Sequence, residues 1–297
     1  MLNGILNINK PNGCTSFDVV AAIKRYTGEH RVGHAGTLDP MAEGVLPVCL
    51  GQGTRVVEYL QDSGKTYLAG ITLGVSTDTL DAEGRITKEA DASGITIAQI
   101  ETALNLFRGT IAQIPPSYSA LKHQGKPLYQ WAREGVTIEG KSRQVTVYEL
   151  DITGWYPPVL NVKVVCSKGT YIRSLANDLG ERLGCGGSLK SLVRTAYGPF
   201  DIKNSHTPDE IKKAFAEGRG PDLLLPIDTV LQNIPAAVLD EPDARKMLCG
   251  NNILSSNCKP QTANYGICRA YSVGGCFLAL LKYIPEEDIW KPEKVFL

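Results

Sequence analysis

The chain has 297 residues, of which 43% are hydrophobic and 21% are charged, so it can bury a sizeable core and does not have the composition of a disordered chain. Lys and Arg together number 31, as do Asp and Glu, which gives a net charge of zero. A nucleic-acid or membrane partner would therefore have to bind a local patch, because the whole molecule carries no excess charge.

The sequence shows no export or membrane signal. No basic start followed by an apolar run opens the chain, and the longest late apolar stretch, residues 276–281, is far shorter than the roughly 20 residues of a membrane span. The eight cysteines include no C-x-x-C pair, so we expect reduced thiols and no structural zinc. We therefore expect a cytoplasmic protein without a membrane partner.

The first half of the chain alternates short strands and helices. Residues 5–8 predict a strand and residues 10–13 a turn, after which Thr15 can cap a helix with an apolar face. The apolar pattern further predicts strands at 45–50 and 66–73 and helices at 56–60 and 97–107. Residues 76–94 are polar and acidic, and we expect a loop there.

The second half favours hairpins. Residues 145–150 and 159–165 predict a hairpin with a long loop at 155–158, and residues 170–183 predict a helix that ends at Gly184. A strand at 189–196 and a helix at 208–215 follow. Because hairpins outnumber parallel strand-helix-strand units, the fold class we expect is α+β, with a mostly antiparallel mixed sheet and flanking helices.

The character of the chain changes near residues 232–235. Beyond them the pattern predicts one helix at 243–248 and two strands at 265–271 and 275–283. We therefore expect two domains, residues 1–233 and a small β-rich domain at residues 234–297.

The segment Gly33–Pro40 has the most unusual local composition. It places an isolated carboxylate, Asp39, after two glycines and before an apolar strand. By physics alone Asp-Pro is ordinary turn chemistry. The sequence has no phosphate-binding loop, no serine-hydrolase elbow and no H-E-x-x-H zinc helix.

The run from Gly33 to Pro47, G-H-A-G-T-L-D-P-M-A-E-G-V-L-P, resembles the signature of the TruB family of tRNA pseudouridine synthases. Five further stretches resemble motifs of this family in the family order, between Gly4 and Phe200. They are the opening G-I-L-N-I-N-K-P-x-G-x-T-S at 4–16, K-T-Y at 65–67, P-P-x-Y-S-A-L-K-x-x-G at 115–125, K-G-T-Y-I-R-S-L at 168–175, and L-V-R-T-x-x-G-x-F at 192–200.

The resemblance implies a pseudouridine synthase fold with a PUA-like RNA-binding domain at residues 234–297 and an RNA-gripping insertion at about 115–143. It also implies an isomerase that converts uridine to pseudouridine at position 55 in the T loop of tRNA. The reaction adds no atom and changes no redox state, so the family needs no cofactor, nucleotide or metal. We expect tRNA, through its T arm, as the partner of a monomer.

The resemblance also assigns site residues. Asp39 matches the catalytic carboxylate, Arg173 the arginine that keeps it ionised and aimed, and Tyr67 the ring that stacks on the flipped base. Further positions match residues that contact the RNA substrate. They are His34, Tyr171, Leu192, Lys122 and Arg133.

Three other readings are open. A catalytically silent RNA-binding or tRNA-folding module could use the same scaffold, although Asp39, Tyr67 and Arg173 are all present. A glycosidase would need two cooperating carboxylates, and only Asp39 has a suitable setting. A relative that depends on a guide RNA would carry basic extensions and a longer tail. Which atom Asp39 engages first, in the sugar or in the base, is open as well.

Overall fold

The computed structural model describes residues 2–119, 121–136, 138, 140–260 and 266–296, with the backbone but not the side chains of Lys122 and Arg133. The α-helices in these residues are α1 (Ser16–Thr27), α2 (Val57–Gln61), α3 (Ile97–Leu104), α4 (Leu128–Arg133), α5 (Ile172–Arg182), α6 (Pro208–Ala216) and α7 (Glu241–Leu248). The strands there are β1 (Gly4–Lys10), β2 (Val32–His34), β3 (Glu43–Leu50), β4 (Lys65–Leu73), β5 (Val75–Thr77), β6 (Ile86–Glu89), β7 (Gly109–Gln113), β8 (Lys122–His123), β9 (Lys126–Pro127), β10 (Arg143–Tyr156), β11 (Val159–Cys166), β12 (Gly187–Tyr197), β13 (Phe200–Asp201), β14 (Ala236–Leu239), β15 (Ile253–Leu254), β16 (Ile267–Ser272), β17 (Phe277–Ile284) and β18 (Ile289–Val295).

The larger sheet has the spatial order β1, β3, β12, β4, β11, β10, β7, with β2 paired to β3 and β13 paired to β12. Its strand pairs are antiparallel except β3 with β12, which run parallel. Helix α5 packs against β12, and α1 packs against α6. The predicted α+β class, with a mostly antiparallel mixed sheet and flanking helices, is confirmed.

Helix α1 shows why the local predictions worked. The Thr15 hydroxyl accepts the Asp18 N–H at 3.1 Å, and the Asp18 carboxylate accepts the Thr15 N–H at 2.8 Å, which forms a capping box. Val19 and Ile23 are buried on the face that the apolar spacing predicts. Both signals are local in sequence, so they could be read without the fold.

The predicted loop at residues 76–94 is wrong in part, because β5 and β6 form a hairpin there. The Thr77 hydroxyl donates to the carbonyl oxygen of Asp81 at 2.7 Å, and the Ala82 N–H donates to the carbonyl oxygen of Leu189 on β12 at 2.8 Å. Contacts with a distant strand order this polar segment, so apolar periodicity gives no sign of it.

The predicted hairpin at 145–165 is confirmed, but its long loop is wrong. Trp155 and Tyr156 belong to β10, and Tyr156 pairs with Val159, so the turn is only two residues long. The reason is that aromatic residues favour extended strands, whereas the prediction gave more weight to the two prolines.

The smaller sheet has the order β14, β16, β17, β18, β15. The predicted strands correspond to β16 and β17, and the predicted helix to α7; Tyr265, where the first of these strands was expected to start, lies outside the described residues. Strands β14, β15 and β18 were not predicted. They are short or interrupted by charged residues and Pro292, and β14 pairs in parallel with β16 from some 30 residues earlier.

The two sheets share an apolar contact. Leu280 of β17 and Phe296, just after β18, are buried in the same cluster as Val45, Cys49 and Leu60. A separate cluster fills the space between the larger sheet and its helices, and a third lies between the smaller sheet and α7. The eight cysteines are free in the structure, and their reduced state stays a prediction. No helix in the described part of the chain has both the length and the apolar character to cross a bilayer.

Candidate active site

A cleft of about 690 Å³ opens beside β4, β12 and the start of α5. It brings together the predicted site residues whose side chains the structure describes. They are Asp39, Tyr67, Arg173, His34, Tyr171 and Leu192. These residues come from four separated stretches of the chain, so only the fold can assemble them.

The loop that carries Asp39 is fixed by its own backbone. Gly36 has a left-handed φ of +66°, and a Cβ at this position would stand 2.8 Å from the Tyr197 ring. The Ser16 hydroxyl at the start of α1 donates to the carbonyl oxygen of Leu38 at 3.1 Å and accepts its N–H at 2.9 Å. Glycine is therefore required at the turn, and Asp39 follows a tethered residue.

A buried cation, Lys10, also holds the loop that carries Asp39. Lys10 is fully buried, and its Nζ donates to the carbonyl oxygens of Cys14 at 2.7 Å, Pro11 at 2.9 Å and Pro40 at 3.2 Å. Burial lowers the pKa of Lys10. The three acceptors use all three ammonium donors, which ties the residue after Asp39 to the opening turn. Sequence reasoning placed Lys10 in an ordinary turn and missed this role.

Arg173 lies at the start of α5 and joins several parts of the site. Its Nε contacts Asp39 Oδ2 at 3.0 Å, and its Nη2 donates to the carbonyl oxygen of Tyr118 at 2.8 Å. Nη1 faces Asp81 Oδ2 and the carbonyl oxygen of Thr79, both at 3.3 Å. The guanidinium therefore meets Asp39 through one nitrogen and not through a two-point fork, because its other nitrogens are already engaged.

Asp81 is the main site residue that sequence reasoning missed. It is only 4% exposed, and its Oδ1 accepts the Thr79 hydroxyl at 2.5 Å and the Glu83 N–H at 3.1 Å, while Oδ2 faces Arg173. A buried carboxylate is stable only when it is paired and hydrogen-bonded, as this one is. Asp81 thus holds the guanidinium on the side away from Asp39.

Opposing effects set the ionisation of Asp39. Burial raises its pKa above the usual 3.8; the Arg173 guanidinium opposes this shift, and the negative charge of Asp81 adds to it. The Asp39 side chain is still 39% exposed, and that open side faces the cleft. A carboxylate with a raised pKa is a stronger proton acceptor than an ordinary aspartate.

Tyr67 forms one wall of the cleft. It is 7% exposed on β4, where it pairs with Val164 on one side and with Arg194 on the other. Burial raises the pKa of its phenol, so the hydroxyl stays protonated at neutral pH. Arg194, from the motif at 192–200, is 1% exposed and donates to the carbonyl oxygens of Val45 at 2.7 Å and Gly36 at 2.8 Å.

The other predicted contact residues also line the cleft. His34 lies on β2 with a lowered pKa, caused first by burial and then by Arg194. Leu192 is 7% exposed on β12 and supplies apolar surface. The side chains of Lys122 and Arg133 lie outside the described residues, so their predicted contacts stay predictions.

Tyr171 immediately precedes α5 and is held through its backbone. The Gln113 side chain accepts the Tyr171 N–H at 3.0 Å and donates to the Tyr171 carbonyl oxygen at 3.1 Å. Gln113 is 2% exposed at the end of β7. This two-point contact fixes the start of α5 and therefore the position of Arg173.

The described residues contain no group of three or more His, Cys, Asp or Glu side chains that could hold a metal ion. The chemistry that the site itself offers is that of a partly exposed carboxylate beside a fixed guanidinium, with a protonated tyrosine and an apolar wall.

Comparisons with known proteins agree with the motifs. The model of the TruB family pseudouridylate synthase N-terminal domain matches residues 24–172, and that of the tRNA pseudouridylate synthase B C-terminal domain matches residues 173–232. A tRNA pseudouridine synthase B from Dehalococcoides mccartyi is 46% identical, covering 100% of this chain and 97% of its own length. The protein of the same name from Clostridium kluyveri is 41% identical, covering 94% and 95%, and that from Haemophilus influenzae is 37% identical, covering 99% and 95%.

Solved structures show the same fold. An archaeal box H/ACA ribonucleoprotein complex of Nop10 and Cbf5 matches with a TM-score of 0.74 and 25% identity, covering 99% of this chain and 86% of the other. An H/ACA ribonucleoprotein bound to a substrate RNA that contains 2′-deoxyuridine matches with a TM-score of 0.76 and 24% identity, covering 99% and 85%. The fold is that of the pseudouridine synthases, and the family match and the full-length relatives show that the chain belongs to the TruB family of pseudouridylate synthases.

Proposed function

We propose that this protein isomerises uridine to pseudouridine at position 55 in the T loop of tRNA, with Asp39 as the reacting carboxylate. The observation that carries the proposal is the Asp39 and Arg173 ion pair, at 3.0 Å, in a cleft shared with Tyr67. The full-length relatives that bear the name tRNA pseudouridine synthase B support the same activity.

The reaction breaks the bond between N1 of uracil and C1′ of the ribose, rotates the base and joins C5 to C1′; C5 then releases its proton and N1 takes one up. No atom is added and no electron is lost. The chain therefore has to supply a nucleophile or general base, a surface on which the uracil can stack, and a means of removing the proton of C5. Asp39 is suited to the first task because burial raises the pKa of its carboxyl while the cleft leaves it accessible.

The remaining groups position the nucleotide. A uridine drawn out of the loop loses its stacking partners, and the Tyr67 ring offers a replacement surface with Leu192 as an apolar wall. Arg173 holds Asp39 in one orientation while Asp81 and the Tyr118 carbonyl hold Arg173. His34 and Tyr171 contact the RNA at the rim of the cleft.

The parts of the chain divide the binding task. We assign catalysis to residues 1–233, RNA gripping to residues 115–143 with Lys122 and Arg133, and auxiliary RNA binding to a PUA-like domain at 234–297. We assign the activity to a monomer, as the family resemblance implies. The free, mostly buried thiols suit the reducing cytoplasm, where we place the reaction on the T arm of tRNA.

The test uses an unmodified tRNA transcript and chemical mapping of pseudouridine. The wild type should form one pseudouridine in the T loop. Asp39→Asn should reduce the single-turnover rate at least about 100-fold, because the amide keeps the shape but neither attacks nor accepts a proton.

Asp151→Asn, on the exposed side of β10, serves as the matched control and should react like the wild type. Binding of tRNA by Asp39→Asn should persist. If verified Asp39→Asn protein formed pseudouridine at the wild-type rate, the assignment of Asp39 would be refuted. A wild type that binds tRNA without forming product would favour the RNA-folding module.

A further inference from the structure

Lys65 lines the same cleft as Tyr67 and has no part in the chemistry described so far. It is the first residue of β4 and lies two positions before Tyr67. Alternate residues of a strand point to the same face, so the two side chains are separated by roughly 6–7 Å along the strand. Lys65 therefore flanks the surface on which the uracil would stack.

The ammonium of Lys65 has unused hydrogen-bonding capacity. Its Nζ donates to the carbonyl oxygen of Ser63 at 3.2 Å and lies 4.3 Å from the centre of the Tyr197 ring. An ammonium has three donors, and within the described residues no carboxylate lies within 4.0 Å of this one. Burial, followed by the nearby Arg194, lowers the pKa of Lys65 to about 8.

Two neighbouring cations have strong partners of their own within the protein. Lys168, also at the cleft, forms an ion pair with Asp62. Arg194 donates to the carbonyl oxygens of Val45 and Gly36. Lys65 is a half-buried cation with free donors and, among the described residues, no carboxylate within 4.0 Å, in a cleft that we propose receives a polyanion.

We propose that Lys65 Nζ binds a phosphodiester oxygen of the RNA backbone at one of the two linkages that flank the target uridine. This inference rests on the proposed function. The phosphate supplies the missing counter-charge through a charge-assisted hydrogen bond, and it fixes the nucleotide from the backbone side while Tyr67 holds the base. Lys65 is a positioning residue, because it touches the substrate away from the reacting atoms.

The experiment combines a protein variant with a neutral linkage in the RNA. The binding of a T-arm hairpin is measured by fluorescence anisotropy for wild type and Lys65→Met, with all linkages intact or with one methylphosphonate on either side of the target uridine. We expect Lys65→Met to weaken binding of the intact hairpin roughly tenfold, since a hydrogen bond to a charged group is lost. The plot of log affinity against log salt concentration should become shallower, with the magnitude of its slope reduced by about 0.7–0.9.

The decisive result is non-additivity. At one of the two linkages the methylphosphonate should weaken binding by the wild type but leave the affinity of Lys65→Met unchanged. The reason is that the substitution and the neutral linkage remove the same contact. Lys163→Met is the matched control. Lys163 lies on β11 opposite the exposed Leu68, pairs with Glu149 of β10 and does not line the cleft. It should bind all hairpins like the wild type.

Additive penalties at both linkages, or unchanged binding by Lys65→Met, would overturn the proposal. If Lys65→Met does not fold, wild-type protein with the two neutral linkages still decides, because indifference to both contradicts a phosphate contact there. The proposed function fails separately, when wild type neither binds nor isomerises the intact hairpin.

Discussion

Arg173 lies between two carboxylates of unequal exposure. Asp81 is almost fully buried and is hydrogen-bonded by Thr79 and Glu83, whereas Asp39 is open to the cleft. The buried carboxylate fixes the guanidinium, and the guanidinium in turn orients the exposed one. The aim of Asp39 therefore depends on a residue that does not itself contact the substrate.

This arrangement makes a prediction for the variant Asp81→Asn. The reaction needs ionised Asp39, so its rate falls as the pH drops through the pKa of Asp39, which is raised in the wild type. Removal of the Asp81 charge lowers that pKa, so the acid limb of the rate profile should move to lower pH. The plateau rate should nevertheless fall on the order of 100-fold, because the neutral amide leaves Arg173 beside Asp39 but holds it less firmly, so the aim of Asp39 is less exact.

Single-turnover rates measured across pH test both effects, with Asp78→Asn in the same loop as the control, since Asp78 is paired with Arg85 away from the cleft. An acid limb that moves to higher pH, or a plateau at the wild-type level, would contradict this role for Asp81.

Only the site residues that lie within a recognisable sequence motif could be predicted. Asp39, Tyr67 and Arg173 were assigned by resemblance, and the structure places them in one cleft. Asp81 gave no signal, because it lies in a polar stretch typical of a loop. Lys10 was misread because its burial depends on the Pro40 carbonyl, 30 residues away.

At the level of elements, α5 controls the site because it carries Arg173 near its start. Gln113 fixes the residue before the helix, and close packing against β12 fixes the other end. A Cβ at Gly180 would overlap the backbone of Gly186 and Gly187. The absence of a side chain is thus what lets α5 lie flat against the turn that leads into β12.

Gly180→Ala should therefore destabilise the protein by about 1–3 kcal/mol, although alanine favours helices, because the overlap is with backbone that cannot rotate away. Equilibrium unfolding in urea measures this change. Glu181→Ala, at the next and exposed position of α5, should stay within about 0.5 kcal/mol of the wild type. Equal stability of Gly180→Ala and wild type would show that the packing is looser than described.

Elements with local signals were predicted well, and those ordered by distant contacts were not. The capping residue Thr15 and the apolar spacing predicted α1, and the runs of β-branched residues predicted β10 and β11. The hairpin of β5 and β6 and the strand β14 have no such pattern, because the turn of the hairpin bridges to Leu189 of β12 and β14 pairs with β16.

On the scale of the molecule, the smaller sheet is attached by more than a linker. Leu280 and Phe296 share a buried cluster with Val45, the Tyr271 hydroxyl donates to Asp228 at 2.6 Å, and Lys294 donates to the carbonyl oxygen of Arg55 at 2.8 Å. Residues 234–297 therefore contribute to the stability of the larger sheet besides any contact with RNA.

A chain that ends at Asn233 should isomerise a T-arm hairpin, because the described cleft residues all precede that point. It should also unfold several degrees lower, since roughly 2–4 °C are lost per kcal/mol in a protein of this size, and it should bind full-length tRNA more weakly. Thermal unfolding, hairpin turnover and tRNA affinity measure the three effects. A folded truncated chain that is inactive at saturating hairpin would show that the tail belongs to the catalytic unit.

The position of β12 between β3 and β4 has a consequence for synthesis. Strands β3 and β4 emerge from the ribosome more than 100 residues before β12. The edges that they turn toward β12 therefore stay unpaired until residues 187–197 arrive. Unpaired edges invite pairing with other chains. The nascent protein is therefore most exposed to misassembly while its N-terminal half is already complete, and the cleft can form only when this late strand closes the sheet.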